Sequence, residues 1–141
     1  MVVPDRSSGR ARAARFVHNG GGWTAHGRTL PPALDIEYNP YDDERGRCGP
    51  SKAEMVSWIT SLGDEIERLT CRRPVICTTT HRPVTCTTTH GWNTRTGGSG
   101  VFAAGHALWI ARHDAAGPGA LPAGRSSWTF RQRQRRRGPA G

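Results

Sequence analysis

At 141 residues, with 35% hydrophobic content diluted by 18 glycines and 10 prolines, the chain has the length of one ordinary domain and the means to build one modest core. No stretch approaches the roughly 18 apolar residues of a membrane span, Met1 to Arg10 lacks the apolar segment that directs export, and four cysteines are too few and too unevenly placed for a disulfide framework. A formal net charge of +9 suggests an anionic partner such as nucleic acid, acidic lipid or an anionic wall polymer, although a cation set with Lys52 as its sole lysine also follows from nucleotide composition.

Residues 1–9 are expected to be unstructured. Arg10 to His18 reads as a short helix closed by Asn19-Gly20-Gly21-Gly22, and a loop from Trp23 to Pro32 follows. The run Ala33-Leu34-Asp35-Ile36-Glu37-Tyr38 alternates as a strand does. Leu34, Ile36 and Tyr38 share one face, and Asp35 and Glu37 share the other, about 6.6 Å apart along the backbone. Such a pair can divide acid and electrostatic work on a glycosidic bond, but two acids at this spacing also describe the solvated face of an edge strand.

After a charged turn from Asp42 to Arg47, Ser51 and Glu54 form a capping-box pattern. Met55, Ile59, Leu62, Ile66 and Leu69 recur at helical spacing, so Ser51 to Leu69 is a helix whose stripe is core, with Trp58 packing beside it. Two nonamers come next, Arg73-Pro-Val-Ile-Cys-Thr-Thr-Thr-His81 and Arg82-Pro-Val-Thr-Cys-Thr-Thr-Thr-His90, which differ only at Ile76 and Thr85. Proline-bounded and β-rich, they read as a strand duplicated locally, with one copy in the sheet and the other surplus, at an edge or in a loop. Ala107 to Ala111 and Trp128 to Phe130 are further short strands. The end from Arg131, with 133–141 as its extreme, has the composition of a disordered basic tail. Helix, strand, helix, strand, strand is the order of α/β architecture with parallel pairing, in which chemistry gathers at the C-terminal ends of strands, where Asp35 and Glu37 stand.

The repeat also sets Cys77 four residues before His81, and Cys86 four before His90. That is a weak zinc pattern, since both pairs derive from one duplicated unit, and no metal site is assigned. His18, His26 and His106 read as surface or packing residues, whereas His113, following a strand, is placed to face a cleft. Cys71 has no neighbouring pattern that would activate it as a nucleophile, and no phosphate-binding glycine motif occurs.

Taken together, Ala14 to Tyr41, with its Gly-Gly-Gly-Trp lead-in to Asp-Ile-Glu-Tyr-Asn, resembles the central segment of the glycoside hydrolase family 25 lysozymes of actinobacterial type. Arg73 to Thr80, Leu108 to Arg112 and Trp128 to Phe130 resemble the same family. The resemblance implies that residues 10–132 are a fragment of an irregular, TIM-like (β/α) barrel, lacking the first strands and the C-terminal end. It implies hydrolysis of the β-1,4 bond between N-acetylmuramic acid and N-acetylglucosamine of peptidoglycan, with Glu37 as proton donor and Asp35 positioning or stabilising the substrate through its acetamido group. Tyr38, Asn39, Trp109 and His113 are then the candidate substrate-binding residues. No metal or organic cofactor is implied; the partner is a peptidoglycan glycan strand, the chain a monomer, and the place of action extracellular or at the cell wall.

The family's first-strand aspartate has no counterpart here. Cys77 and Cys86 stand where the family usually has tyrosine, His81 and His90 where it has aspartate, and Arg131 where it has an aromatic residue of the cleft wall. Arg95 occupies a position that is cysteine in close relatives, which implies that Cys48 has no disulfide partner. Weak or absent turnover of the chain on its own is the corresponding expectation. The alternative is a non-catalytic basic protein that binds nucleic acid or an anionic wall polymer through Arg131 to Arg137.

Overall fold

The computed structural model describes residues 7–36, 50–79, 89–111, 117 and 119–132. Among these residues three α-helices and four β-strands follow one another: α1 (Gly9–Phe16), β1 (Ala33–Asp35), α2 (Lys52–Thr70), β2 (Val75–Thr79), α3 (Thr89–Thr96), β3 (Leu108–Ala111) and β4 (Phe130–Gln132). The four strands form one parallel sheet in the order β1-β2-β3-β4. This is the α/β architecture expected from the order of elements.

The helix α2 forms where its sequence demands. The Ser51 hydroxyl accepts from the Glu54 amide at 3.3 Å, and the Glu54 carboxylate accepts from the Ser51 amide at 2.7 Å, so both sides of the capping box are made. Met55, Ile59, Leu62 and Ile66 are buried, as the stripe predicts, but Leu69 is exposed. The last buried position falls instead on Thr70, whose hydroxyl donates to the Ile66 carbonyl at 2.7 Å. The helix ends on Cys71 in the left-handed region, φ 54°, a conformation that glycine adopts at less cost.

Helix α1 begins one residue earlier than expected, capped by Ser8, whose hydroxyl accepts from the Ala11 amide. The Trp58 indole donates to the Ser7 carbonyl at 3.0 Å, so residues 7–9, expected to be unstructured, take part in the fold. A π turn, Val17–Gly21, extends the helix into the glycine run, which was expected to close it; the chain departs from helical geometry at Asn19 and at Gly20, φ 92°.

The sheet contains the first nonamer. Val75 pairs with Ala33, Ile76 with Leu34 and Cys77 with Asp35 on one side, and Ile76 to Thr79 pair with Leu108 to Ala111 on the other. Of the second nonamer, only Thr89 and His90 lie among the described residues, and they open α3 rather than a strand or loop. That helix is missed by sequence reading because Thr, Gly and Asn form helices poorly. Tertiary anchoring overrides propensity here: Trp92 is buried, its indole donates to Ser99 O at 3.0 Å, and its ring meets Phe102 edge-on at 5.6 Å. The last strand is also displaced, starting at Phe130 and leaving Trp128 exposed before it.

Alternation divides the sheet into two faces. Leu34, Ile36, Ile76, Leu108 and Ile110 are buried on one, and Leu34, Ile36 and Ile76 join Met55, Ile59, Leu62 and Ile66 of α2 in the main core. Asp35, Cys77, Trp109 and Phe130 occupy the other.

Candidate active site

Register aligns the residues of the second face into a row. Asp35 pairs with Cys77, Cys77 with Trp109, and Trp109 with Phe130, so one side chain from each strand lies on a line crossing the sheet. With neighbouring strands spaced about 4.8 Å apart, Asp35 and Trp109 are separated by roughly 10 Å across the Cys77 position, a span that accommodates one sugar ring. Asp35 and Trp109 are half-buried and Cys77 is buried. The Trp109 and Phe130 rings are in contact, with centroids 5.9 Å apart and planes tilted by 52°, and make a continuous aromatic wall at the far end of the row.

The local reasons are simple. Asp35 is polar where a core-facing residue would be apolar, and its neighbours Leu34 and Ile36 hold it in place by being buried on the opposite face. Trp109 is fixed in the same way by Leu108 and Ile110. Asp35 is the last residue of β1, so its carboxylate sits at the C-terminal end of a parallel strand, where α/β sheets carry their chemistry.

Of the residues expected at the site, Asp35 and Trp109 are brought into one row. Glu37, Tyr38, Asn39 and His113 lie outside the described residues. Two members of the row, Cys77 and Phe130, were not expected to be substrate-facing. Register was the missing signal, because parity within β4 depends on where that strand starts. Arg131, expected on the cleft wall, pairs with Ile110 and falls on the face opposite the row. The metal pattern of the nonamers involves His81 and Cys86, both outside the described residues, and among the described residues no group of three or more His, Cys, Asp or Glu is placed to hold a metal ion.

His106 is a packing residue, as its sequence context suggested. Its Nδ1 lies 2.8 Å from the Pro74 carbonyl and therefore carries the proton, and its ring stands edge-on to Phe102 at 5.8 Å. Burial, then the charges of Arg73 and Arg125, push its pKa below the ordinary value of 6.5, against the opposing pull of the Pro74 carbonyl. Among the described residues, no helix is long and apolar enough to cross a membrane.

A parallel α/β sheet with helices on one face, and a carboxylate and aromatic wall on the other, agrees with a fragment of a (β/α) barrel. The family model of glycosyl hydrolases family 25 matches residues 2–138, and the chain belongs to that family. It is 38% identical over 130 residues to lysozyme M1 of Streptomyces globisporus, covering 92% of this chain and 40% of that protein. It is 34% identical over 122 residues to the N,O-diacetylmuramidase of a Chalaropsis species, covering 86% of this chain and 52% of that one. Among solved structures, the muramidase from Acremonium alcalophilum superposes with a TM-score of 0.77 at 44% identity, covering 93% of this chain and 57% of its own. The family 25 lysozyme from Aspergillus fumigatus gives 0.78 at 37% identity, with 92% and 57% covered. The chain thus spans about half the length of the curated relatives it matches.

Proposed function

We propose that this chain carries the chemistry of a peptidoglycan muramidase, cleaving the β-1,4 bond between N-acetylmuramic acid and N-acetylglucosamine at the cell wall. The observation that carries the reading is the row on the sheet face away from α2: Asp35 at a strand end, with an aromatic wall about one sugar ring away along the row. Support comes from the family, and from relatives whose names are lysozyme and muramidase.

In this reading Glu37, next to Asp35 in strand parity, donates its proton to the leaving glycosidic oxygen as the C–O bond breaks. The positive charge that develops at the anomeric carbon is met by the substrate's own acetamido oxygen, and Asp35 orients that group through its N–H. Water then attacks the anomeric carbon, and its proton returns to the carboxylate pair. Trp109 and Phe130 stack against the apolar face of a sugar, while Tyr38, Asn39 and His113 are assigned to substrate contact. The reading needs no cofactor, and it has a monomer acting outside the membrane.

The test is release of reducing ends from purified peptidoglycan. General acid catalysis is worth about 10² to 10⁴-fold in rate, so Glu37→Gln is expected to lower the initial rate by that order and Asp35→Asn by a comparable factor. A rate above background that Glu37→Gln leaves unchanged removes these residues from the chemistry.

The sequence offered a second reading, a non-catalytic protein binding nucleic acid or an anionic wall polymer by Arg131 to Arg137. Arg131 lies within β4, and 133–141 lie outside the described residues, so no structural observation favours it.

A further inference from the structure

Between residues 7 and 34 the chain carries Arg10, Arg12, Arg15, Arg28, His18 and His26 and not one carboxylate. Elsewhere among the described residues two ion pairs are made, Glu65 with Arg68 and Glu67 with Arg73. Among the described residues, Arg28 and Arg72 have no carboxylate partner, and both are exposed.

These two arginines belong to one organised surface. The loop before β1 is closed on itself by the Trp23 indole donating to Thr29 O at 3.1 Å, the Thr29 hydroxyl donating to Thr24 O at 3.2 Å, and the Arg28 amide donating to His26 Nδ1 at 3.0 Å. The Arg72 guanidinium lies over the Trp23 ring, 5.3 Å from its centroid. The loop enters β1 at Ala33, and Arg72 stands just ahead of β2, where the Val75 amide is bonded to Pro32 O at 2.8 Å. The surface is therefore at the N-terminal end of the parallel sheet, away from the Asp35 end.

We infer that this surface, Arg28, His26 and the Trp23-supported Arg72, is a binding site for a linear polyol-phosphate polymer, the phosphodiester type of anionic wall polymer. A guanidinium fork matches phosphate oxygens, and a guanidinium held against an indole loses less freedom on contact than a free one. Nucleic acid is the poorer fit. Sequence-independent binding of single strands uses aromatic faces as stacking platforms, and here one face of Trp23 is taken by Arg72 and its N–H by Thr29. Binding at this end leaves the Asp35 face clear, so a glycan strand and a phosphate polymer can be held together. The inference does not depend on the muramidase reading, because the probe polymer contains no glycosidic bond.

The experiment is fluorescence anisotropy of labelled poly(glycerol phosphate) titrated with the full chain at two salt concentrations. Saturable binding that weakens steeply with salt is expected, with affinity lowered about tenfold by combined Arg28→Gln and Arg72→Gln. The tail variant Arg135→Gln, Arg136→Gln, Arg137→Gln is expected to lose less than about twofold, and a single-stranded oligodeoxynucleotide of equal phosphate count to bind more weakly than the polymer. If the glutamine pair lowers the thermal midpoint, the pair Arg28→Lys and Arg72→Lys replaces it, with an expected loss of about threefold from the missing forks. No binding, retention of full affinity by both loop variants, loss confined to the tail variant, or equal affinity for the oligonucleotide would each overturn the proposal.

Discussion

Arg125 shows how much one side chain can settle. Half-buried, it donates to Phe102 O at 3.0 Å, to Ala103 O at 3.1 Å and to His106 O, gathering three carbonyls of one turn, of which Phe102 O also accepts from the His106 amide at 3.2 Å. Burial lowers its pKa from the ordinary guanidinium value without removing the charge. Arg125→Met is expected to cost about 2–4 kcal/mol, read as the midpoint of urea unfolding, and Arg125→Lys to recover only part of it because the fork is lost. The neighbouring His106 gives a pH dependence whose sign follows from its depressed pKa. The native site holds the neutral ring, so below 6.5 the unfolded chain takes up the proton first. Its contribution to stability is complete above that value and is lost as pH falls through the lower native one. Unfolding midpoints measured between about pH 7 and pH 5, above the range where Glu54 and Glu65 titrate, are expected to fall for the parent and to stay flatter for His106→Gln, which keeps an N–H for Pro74 O.

At the level of elements, two close fits decide the arrangement. Gly9 lets α1 approach α2, because a Cβ there would stand 2.5 Å from Trp58 O and 2.8 Å from Leu62 N, both backbone atoms. Gly9→Ala is therefore expected to destabilise by about 1–3 kcal/mol, although alanine in a helix is otherwise favoured by about 1 kcal/mol. The nonamers pose a different problem, since either could supply the same strand. Ile76, buried between Leu34 and Leu108 in register, is the distinguishing residue, and the second copy offers Thr85 in its place. The lost apolar burial and the hydroxyl together favour the first copy by about 1–3 kcal/mol. Exchanging the two, Ile76→Thr with Thr85→Ile, is expected to transfer protection from a thiol reagent from Cys77 to Cys86, as mapped by tandem mass spectrometry. Continued protection of Cys77 in the exchanged chain would mean that chain connectivity, not burial at this one position, selects the copy.

The molecule as a whole is organised around α2. It packs on α1 and α3, and its buried stripe meets the inner face of the sheet, so the described residues share one main core. One core predicts one transition. Ile59, fully buried in that stripe, is expected to cost about 2–5 kcal/mol when cut to alanine, and tryptophan fluorescence and far-ultraviolet circular dichroism should shift together. Separate transitions would show that the sheet and the α1–α2 pair unfold independently.

How much of this was legible in the sequence follows from the range of the forces involved. The capping box and stripe of α2, the alternation around Asp35 and the strand at Leu108 are local: each depends on side chains a few residues apart, and each stands where the sequence puts it, with Leu69 the exception. The family, too, is written in contiguous motifs. Helix α3 was hidden because its stability comes from Trp92 meeting Ser99 and Phe102, not from its own composition. The row Asp35, Cys77, Trp109, Phe130 was hidden because it runs across the chain, through pairings between residues 42, 32 and 21 positions apart. A strand's sequence states which side chains alternate, but register with its neighbours states which of them meet. Sequence alone thus determined the α/β class, the principal helix and the candidate carboxylates. Only tertiary structure decided which nonamer enters the sheet and which aromatic side chains share a face with Asp35, because those choices are made by burial across strands distant in the chain.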